Sequence, residues 1–372
     1  MQARQLFIIA LLAAAAIAAA LLLNAHRTPS EPAGERLFPN LESQLNSISE
    51  MRIIDAEGET AVTLDRTERD WVVVEKDGFP ADRAQLRKIL LELANATIVE
   101  EKTSKPEFYS RLGIEDPGSP DAGSIGLEID GVTDPLRLIV GKIAFDGYGT
   151  YVRLMDDPRG LLISGELEPD ADPLSWVRRE LIDIAAADVA AVTIEHADGE
   201  RLRIEKSART DSNFVVTDVP EGRSLSSEYA PNSIGSALAA LGFDDVRARI
   251  EPGPAVEVTT TRYEMFDGRI VELEIFDHED NTWTNFDFGY DDALADRFGM
   301  PAENDDDATD TGSAAPDASD QPGAGPDLQL QTAELSDRLG AWSFVITEYK
   351  RDQMRKRTED LLAPPAPAED AE

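Results

Sequence analysis

The chain has 372 residues, no cysteine, 73 acidic and 35 basic side chains, and a formal net charge of −38 at pH 7. Without cysteine it forms no disulfide, offers no cysteine ligand to a metal and carries no lipid-modified N-terminal cysteine. Such an acidic chain repels nucleic acid and anionic lipid, which argues against nucleic-acid binding. The length after the first 27 residues suits two domains of ~100 to 200 residues each.

An uninterrupted apolar run opens the chain. From Leu6 to Leu23 it holds 18 uncharged residues, or about 27 Å of helix, close to the ~30 Å hydrocarbon core of a bilayer. A cleaved signal peptide is the alternative, but its apolar region is usually shorter and ends at a small-x-small site, whereas Leu23 and Ala25 stand at those positions here. We predict an uncleaved transmembrane helix, and the short tail before it favours a cytoplasmic N-terminus with an exported body.

The order of hydrophobic signals after this run occurs twice. Strand-like alternation leads to a helical stretch first around Leu90 and again around Leu238. The spacing between matching positions grows smoothly, from 141 between Gly58 and Gly199 to 148 between Leu90 and Leu238. This pattern predicts a duplication with small loop insertions.

Each repeat reads as a meander of strands, a helix, further strands and a closing helix. Pro80 and Asp82 begin the first helix, whose apolar stripe is Leu86, Ile89, Leu90 and Leu93, and Asn232 is the expected cap of its counterpart. The later strands are predicted at 125–129, 136–140, 150–154 and 160–164, and at 262–266, 270–276, 282–288 and 342–346. The closing helices are predicted at 173–181 and 349–362.

The predicted fold class is therefore α+β, with two tandem, duplicated units of antiparallel sheet packed with helices after one transmembrane helix. Residues 302–327 hold eight acidic and no basic side chains, so they predict a disordered acidic insert inside the second unit. The predicted parts are the tail and anchor at 1–27, a linker at 28–36, the first unit at 37–172, the second unit at 173–362 and a disordered tail at 363–372.

Several segments carry a family resemblance. They are Leu37-Phe38-Pro39, the passage from Trp71-Val72-Val73 to Phe79-Pro80-Ala81, Tyr109-x-x-Leu112-Gly113-Ile114-Glu115-Asp116-Pro117, Leu138-Ile139-Val140-Gly141-Lys142 and Tyr151-Val152-Arg153. Together they resemble the bacterial domain of unknown function 4340 family over nearly the whole body, although the acidic insert departs from it. The resemblance implies a single-pass protein of the bacterial inner membrane with its body in the periplasm. It also implies gene neighbours from ABC-type transport systems of the gliding-motility kind, so integral-membrane transport subunits are the expected partners.

Sequence patterns for chemistry are sparse. The histidines His26, His196 and His278 are widely separated, which leaves few candidates for a zinc site or a serine triad. Gly141-Lys142 resembles the end of a P-loop, but Ile143 stands where a Ser or Thr would hold Mg²⁺, so we interpret it as a strand end. We therefore predict a protein without enzymatic activity, cofactor or metal ion.

Two acid-rich segments are possible Ca²⁺ ligands. Residues 304–312 lack the glycine and the bidentate glutamate of an EF-hand loop, which favours diffuse screening by ions. Residues 277–281, Asp-His-Glu-Asp-Asn, lie between two predicted strands and have the composition of a hairpin turn.

An aromatic group near the insert has two interpretations. Phe286, Phe288 and Tyr290 alternate along one strand, which together with Phe276 is typical of a core. Trp283 lies on the opposite face and is the one candidate for stacking on a ligand such as a sugar.

A basic cluster near the C-terminus runs against the bulk charge. Its members are Lys350, Arg351, Arg355, Lys356 and Arg357. They spread around a helix, so they form either a solvated face, with Asp352 and Lys356 as an i, i+4 pair, or a docking surface. The partner of a docking surface would be the acidic loop at 303–320, lipid head groups or an acidic transporter face.

Two functions remain open. The first is a non-enzymatic accessory or scaffold of an ABC-type transport system in the cell envelope. The alternative is an exported ligand-binding or sensing module with a cleft between the two repeated units.

Overall fold

A computed structural model describes residues 34–145, 147–298 and 325–364. The chain divides into two compact units. The first comprises the residues up to Glu75 with Pro80–Trp176, and the second comprises Lys76–Phe79 with the residues from Val177 onward. The sequence-based boundary between 172 and 173 lies four residues before the end of the first unit.

Several predicted segments lie outside the described residues. They are the apolar run from Leu6 to Leu23, most of the acidic insert, and the tail after residue 364. Within the described ranges, no helix has the length and apolar character needed to cross a bilayer.

The first sheet has nine antiparallel strands in the order β4-β3-β2-β1-β6-β7-β8-β9-β5. They are β1 (Glu50–Ile54), β2 (Thr60–Arg66), β3 (Trp71–Val73), β4 (Phe79–Pro80), β5 (Ile98–Thr103), β6 (Ile125–Asp130), β7 (Leu136–Ile143), β8 (Thr150–Leu154) and β9 (Gly160–Ile163). Met51 of β1 pairs with Leu64 of β2, and Ile53 pairs with Val62. All four are buried, because alternate residues of a strand point to the same face.

The described part of the first unit has three α-helices, α1 (Leu41–Gln44), α2 (Arg83–Asn95) and α3 (Tyr109–Leu112). Helix α2 begins where predicted, since the Asp82 carboxylate accepts hydrogen bonds from the backbone N–H groups of Ala84 at 2.8 Å and Gln85 at 3.4 Å. Its predicted apolar stripe is buried. Single 3-10 turns occupy Leu45–Ser47, Val74–Lys76, Pro106–Phe108 and Pro173–Trp176.

Segments that carry the family resemblance meet around Arg153 of β8. This side chain is buried, and its guanidinium carbon lies 4.7 Å from the centroid of the Tyr109 ring. Its Nε donates to the Ile114 carbonyl at 3.1 Å, and its Nη2 donates to Asp116 at 2.5 Å. One buried cation therefore holds the segment after α3 against the sheet.

The second sheet also has nine antiparallel strands, in the order β10-β14-β18-β17-β16-β15-β11-β12-β13. They are β10 (Glu180–Ile182), β11 (Val189–Glu195), β12 (Arg201–Glu205), β13 (Val215–Val216), β14 (Leu241–Ala248), β15 (Val258–Met265), β16 (Arg269–His278), β17 (Asn281–Tyr290) and β18 (Trp342–Ile346). The helices of this unit are α4 (Asn232–Gly235), α5 (Asp292–Phe298), α6 (Gly325–Leu339) and α7 (Glu348–Met354), followed by a 3-10 turn at Thr358–Leu361. Phe344 lies at the centre of its core, with ring centroids 5.2 Å from Phe243 and 5.8 Å from Phe286.

The two sheets share one strand order. Eight strands of the first run β3-β2-β1-β6-β7-β8-β9-β5, and eight of the second run β13-β12-β11-β15-β16-β17-β18-β14. In chain order, a helix comes after the first three matched strands of each unit. Helix α2 comes after β3, with the short β4 between them, and α4 comes after β13. The first turns also match, because Gly58 and Gly199 have φ angles of 88° and 89°. The prediction of two antiparallel sheets is confirmed, whereas of the four helices predicted in the body only the first, α2, has the expected length.

The predicted helix at 173–181 is wrong. The chain makes a single 3-10 turn at Pro173–Trp176 and then extends into β10, which pairs with β14. The buried Trp176 donates its indole N–H to the Asp170 carbonyl at 2.8 Å. That anchoring, together with the pairing of β10, favours an extended chain over further helical turns.

The remaining helix predictions need correction at their ends. Asn232 does not cap a long helix, because its side-chain oxygen accepts the backbone N–H of Phe214 at 3.0 Å and α4 ends after one turn. The closing helix predicted at 349–362 is split into α7 and the 3-10 turn. The acidic insert is predicted to extend to residue 327, but α6 already begins at Gly325.

Candidate functional site

A charged cleft of about 490 Å³ lies on the second unit. Three parts of the chain line it: the β11–β12 turn, the beginning of β15, and the segment from α7 to the following 3-10 turn. The lining residues that carry polar or charged side chains are His196, Asp198, Glu257, Thr259, Asp352, Arg355, Lys356, Arg357 and Asp360.

Strand pairing places these parts side by side. Strand β11 pairs with β15 so that Glu195 lies opposite Thr260, which makes His196 a neighbour of Thr259. The His196 Nδ1 atom is 3.4 Å from the Thr259 hydroxyl, and its Nε2 atom is 3.3 Å from the Lys356 carbonyl. The end of α7 is fixed by the buried Thr261 hydroxyl, which donates to the Met354 carbonyl at 2.5 Å.

Arg357 joins the end of the chain to the β11–β12 hairpin. Its guanidinium forms ion pairs with Asp198, at 2.9 Å, and with Glu200. Partial burial acts to raise the pKa of Glu200, but hydrogen bonds from the Thr358 backbone N–H and from Arg357 outweigh burial and lower this pKa. The backbone N–H of Glu200, followed by Arg357, lowers the pKa of Asp198. Both carboxylates are therefore held in the charged form as internal partners of Arg357.

The five cations of the predicted docking surface have different roles. The Lys350 ammonium donates to the carbonyls of Ala239 at 2.7 Å and Ser236 at 3.3 Å, so it holds the segment after α4 against α7. Arg351 contacts Asp352 at 3.4 Å and Glu348 at 3.7 Å.

The other three cations, Arg355, Lys356 and Arg357, line the cleft. Arg355 lies 3.9 Å from Asp277 across a partly exposed pair. Since Arg357 is taken up by Asp198 and Glu200, the cations best placed to meet a binding partner are Arg355 and Lys356.

The family described as Domain of unknown function (DUF4340) matches residues 71–261. The chain belongs to this family. No curated protein and no solved structure gives a significant match.

The DUF4340 span begins at β3 and ends inside β15, so it covers parts of both sheets. The β11–β12 turn, Glu257 and Thr259 fall inside this span, whereas Arg355 and Lys356 fall outside it. The cleft thus combines residues of the DUF4340 span with a C-terminal segment beyond it.

Trp283 does not occupy an open ligand site. Its side chain is only 3% exposed, and the guanidinium carbon of Arg247 lies 5.4 Å from its ring centroid. A buried ring offers no free face to a sugar, so the stacking interpretation is not supported. The core interpretation is confirmed for Phe276 and Phe286, which are fully buried, while Phe288 and Tyr290 are half-buried.

Two interpretations of the sequence are confirmed: residues 277–281 form a hairpin turn, and Gly141-Lys142 lies near the end of a strand. His278 pairs with Asn281, and Glu279 has a φ of 54°, as expected for a tight hairpin turn between β16 and β17. Lys142 lies in β7, and its ammonium donates to the Ser110 carbonyl at 3.0 Å.

Metal ligation has no candidate among the described residues. In these parts of the chain, no group of three or more His, Asp or Glu side chains is arranged to hold a metal ion. The acid-rich segment 304–312 lies outside them.

Sequence reasoning misses the part that His196, Glu257 and Thr259 have in the cleft. The sequence suggests His196 only as a candidate for zinc or triad chemistry. Its hydrogen-bond partner Lys356 lies 160 positions later in the chain. No local pattern predicts a contact of that separation.

Proposed function

We propose that the protein is a non-enzymatic accessory or scaffold of an ABC-type transport system, anchored in the bacterial inner membrane by a single pass from Leu6 to Leu23 with its body in the periplasm. The observation that carries the proposal is the 18-residue apolar run directly ahead of a large folded body. Such an anchor keeps the body within reach of integral-membrane subunits. The family resemblance supports the transport context.

The shared strand order supports an origin by duplication of one α+β unit. Eight strands follow the same order in both sheets. In each unit the first two strands are joined by a turn that contains a glycine with positive φ, Gly58 in the first unit and Gly199 in the second. A duplicated body offers two related surfaces, which suits a protein that holds partners together.

The cleft supplies the docking surface of this proposal. Arg355 and Lys356 lie beside each other at a cleft in a chain with a net charge of −38. Arg355 and Lys356 give an acidic face of a transport subunit two cations to pair with beside the cleft's own carboxylates, whereas most of the acidic body repels that face, so electrostatics favour docking at this pair.

A charge reversal tests the docking surface. We expect the R355E/K356E variant to lose co-purification with an integral-membrane transport subunit after cross-linking in intact cells, because the subunit's acidic face then meets like charges. Mass spectrometry of the cross-linked material identifies the subunit.

The matched control reverses an adjacent Arg-Lys pair that does not line the cleft, Arg87 and Lys88, which are both exposed on helix α2. R87E/K88E should retain the partner, and circular dichroism should show the same fold for both variants. Unchanged recovery with R355E/K356E would reject the docking surface, and recovery of no transport subunit with the wild type would reject the scaffold.

The cleft also favours a second candidate, an exported ligand-binding or sensing module. Its lining carries both signs of charge, including Glu257 from the chain before β15 and Lys356 from the chain after α7, a composition suited to a small zwitterion such as an amino acid or short peptide. A ligand that binds only the folded protein raises its melting temperature. We expect such a shift to disappear in E257Q and K356M if this candidate is correct, whereas a scaffold shows no shift with any compound of this class.

A further inference from the structure

Two aromatic side chains project from the end of the first sheet. Among the described residues, Phe145 and Tyr148 are the most exposed of the large hydrophobic side chains, at 108% and 81% of their reference surface. Both lie in the connection between β7 and β8, and we call the pair the aromatic tip. Two highly exposed aromatic rings within four residues make this connection a candidate interaction surface.

The aromatic tip stands on a closed loop. The Ala144 N–H donates to the Gly149 carbonyl at 2.8 Å, and the Gly147 N–H donates to the Ala144 carbonyl at 2.8 Å. A Cβ atom at position 149 would collide with the Ile163 carbonyl, so glycine is required there for β8 to approach β9. Two backbone N–H groups of this connection are thus hydrogen-bonded within it, which lowers the cost of moving them into a less polar medium.

Strand register places the tip near the point where the chain enters the first unit. Thr150, the first residue of β8, pairs with Ile163, and Ile163 pairs with Ile98. The Ile98 N–H donates to the Glu35 carbonyl at 2.8 Å. Three strand spacings of about 4.8 Å separate the two ends of this row, or about 14 Å in all.

The linker before this entry point is short. Residues 24–33 separate the apolar run from Gly34, and ten residues span at most about 35 Å when fully extended. An anchor from Leu6 to Leu23 therefore keeps this end of the first sheet close to the bilayer. Aromatic residues are enriched at the membrane–water interface, where a ring finds apolar chains beside water and head groups.

We propose that Phe145 and Tyr148 insert into the interfacial layer of the bilayer that holds the anchor, as a second attachment point of the first unit. This inference rests on the proposed anchor. With one attachment the unit rotates freely about the linker, and with two it presents a fixed side to a membrane partner.

The absence of cysteine from the whole chain allows a direct test. A nitroxide label is attached to Y148C, with Phe145 intact, and the full chain is reconstituted into vesicles of phosphatidylcholine, whose head groups carry no net charge and do not repel the acidic body. We expect the label to collide more often with dissolved oxygen, which concentrates in the bilayer, than with a water-soluble nickel complex. The double variant F145S/Y148C should lose this preference for oxygen.

Two control positions give the reference signals for water and for the bilayer interior. Asp134 is exposed in the β6–β7 connection, at the opposite end of β7, so the label on D134C should report water. The label on I17C, within the apolar run, should report the bilayer interior.

The outcomes separate the tip from the anchor. A water-like signal at Y148C with a bilayer signal at I17C overturns the insertion of the tip and leaves the anchor standing. A water-like signal at both positions overturns the anchor and the tip together. A label on Y148C that the nickel complex reaches in lipid vesicles but does not reach in native membranes indicates that a membrane protein covers it. That result overturns the lipid proposal.

Discussion

At the scale of single residues, Arg357 links two distant parts of the second unit. Its guanidinium contacts two carboxylates of the β11–β12 hairpin, while the next residue, Thr358, donates its backbone N–H to one of them at 3.0 Å. All these groups remain partly exposed, so solvent screens the ion pairs. Because two carboxylates share one cation, the stabilising effect of this arrangement depends on pH.

We expect R357Q to unfold at a lower temperature than the wild type at neutral pH. Because the pKa values of Asp198 and Glu200 are lowered by folding, the stabilisation is complete above their ordinary pKa values of 3.8 and 4.5 and is lost as the pH falls through the lowered values. The gap between variant and wild type should therefore narrow in acid. Thermal unfolding followed by circular dichroism, at neutral pH and at about pH 3, measures this gap.

R201Q is the control for this experiment. Arg201 forms a largely exposed ion pair with Glu195, at 3.4 Å, so its loss should have little effect at either pH. A gap for R357Q that is equally wide in acid would show that Arg357 acts through packing rather than through the two carboxylates.

At the scale of elements, helix α4 is much shorter than its counterpart α2. Helix α2 has 13 residues and α4 has four. The ring of Phe214 lies against Gly235, the last residue of α4, in the space that a Cβ atom would need. A bulky ring thus lies against the helix at this glycine, and the chain after α4 turns toward β14.

We expect G235A to destabilise the second unit by about 1 to 3 kcal/mol, because a methyl group there collides with the Phe214 ring in a packed interior. Chemical denaturation followed by fluorescence measures the change. Gly253 provides the control, since no atom lies within 4 Å of the position that a Cβ atom would take there and its φ is not positive. G253A should stay within about 0.5 kcal/mol of the wild type, and an equal loss in both variants would contradict the packing argument.

The strands are predictable from the sequence because their signals are local. Alternating burial in β15, from Val258 to Met265, follows the alternation of side chains along the strand. The segment at 173–181 is mistaken for a helix because its outcome depends on pairing with β14, a strand far along the chain. The cleft escapes prediction for the same reason, since its walls come from sequence positions near 196, 257 and 356.

At the scale of the whole molecule, charge imbalance acts on stability. A net charge of −38 repels itself in the compact state more than in the expanded chain. Local ion pairs such as that of Arg357 act in the opposite sense, but 35 basic side chains cannot neutralise 73 acidic ones.

We expect added salt to raise the melting temperature of the full chain, because screening with a Debye length of about 8 Å at physiological ionic strength weakens this repulsion. Scanning calorimetry at low and physiological salt measures the shift. The shift should shrink near the isoelectric point of about 4.3, where the net charge vanishes. A melting temperature that falls with salt at neutral pH would show that ion pairs outweigh the net charge.

The shared strand order also sets a timetable for folding. In each sheet, the last strand in the chain pairs with a strand synthesised well before it. Strand β5 pairs with β9, and strand β14 pairs with β18. Strand β14 ends at Ala248 and β18 begins only at Trp342, with the acidic insert between them. If the chain crosses the membrane from its N-terminus, the first sheet closes soon after its strands emerge, while the second keeps an open edge until almost the whole chain has been exported. Pairings so distant in sequence close slowly, so the second sheet is the one that most needs protection from aggregation during export.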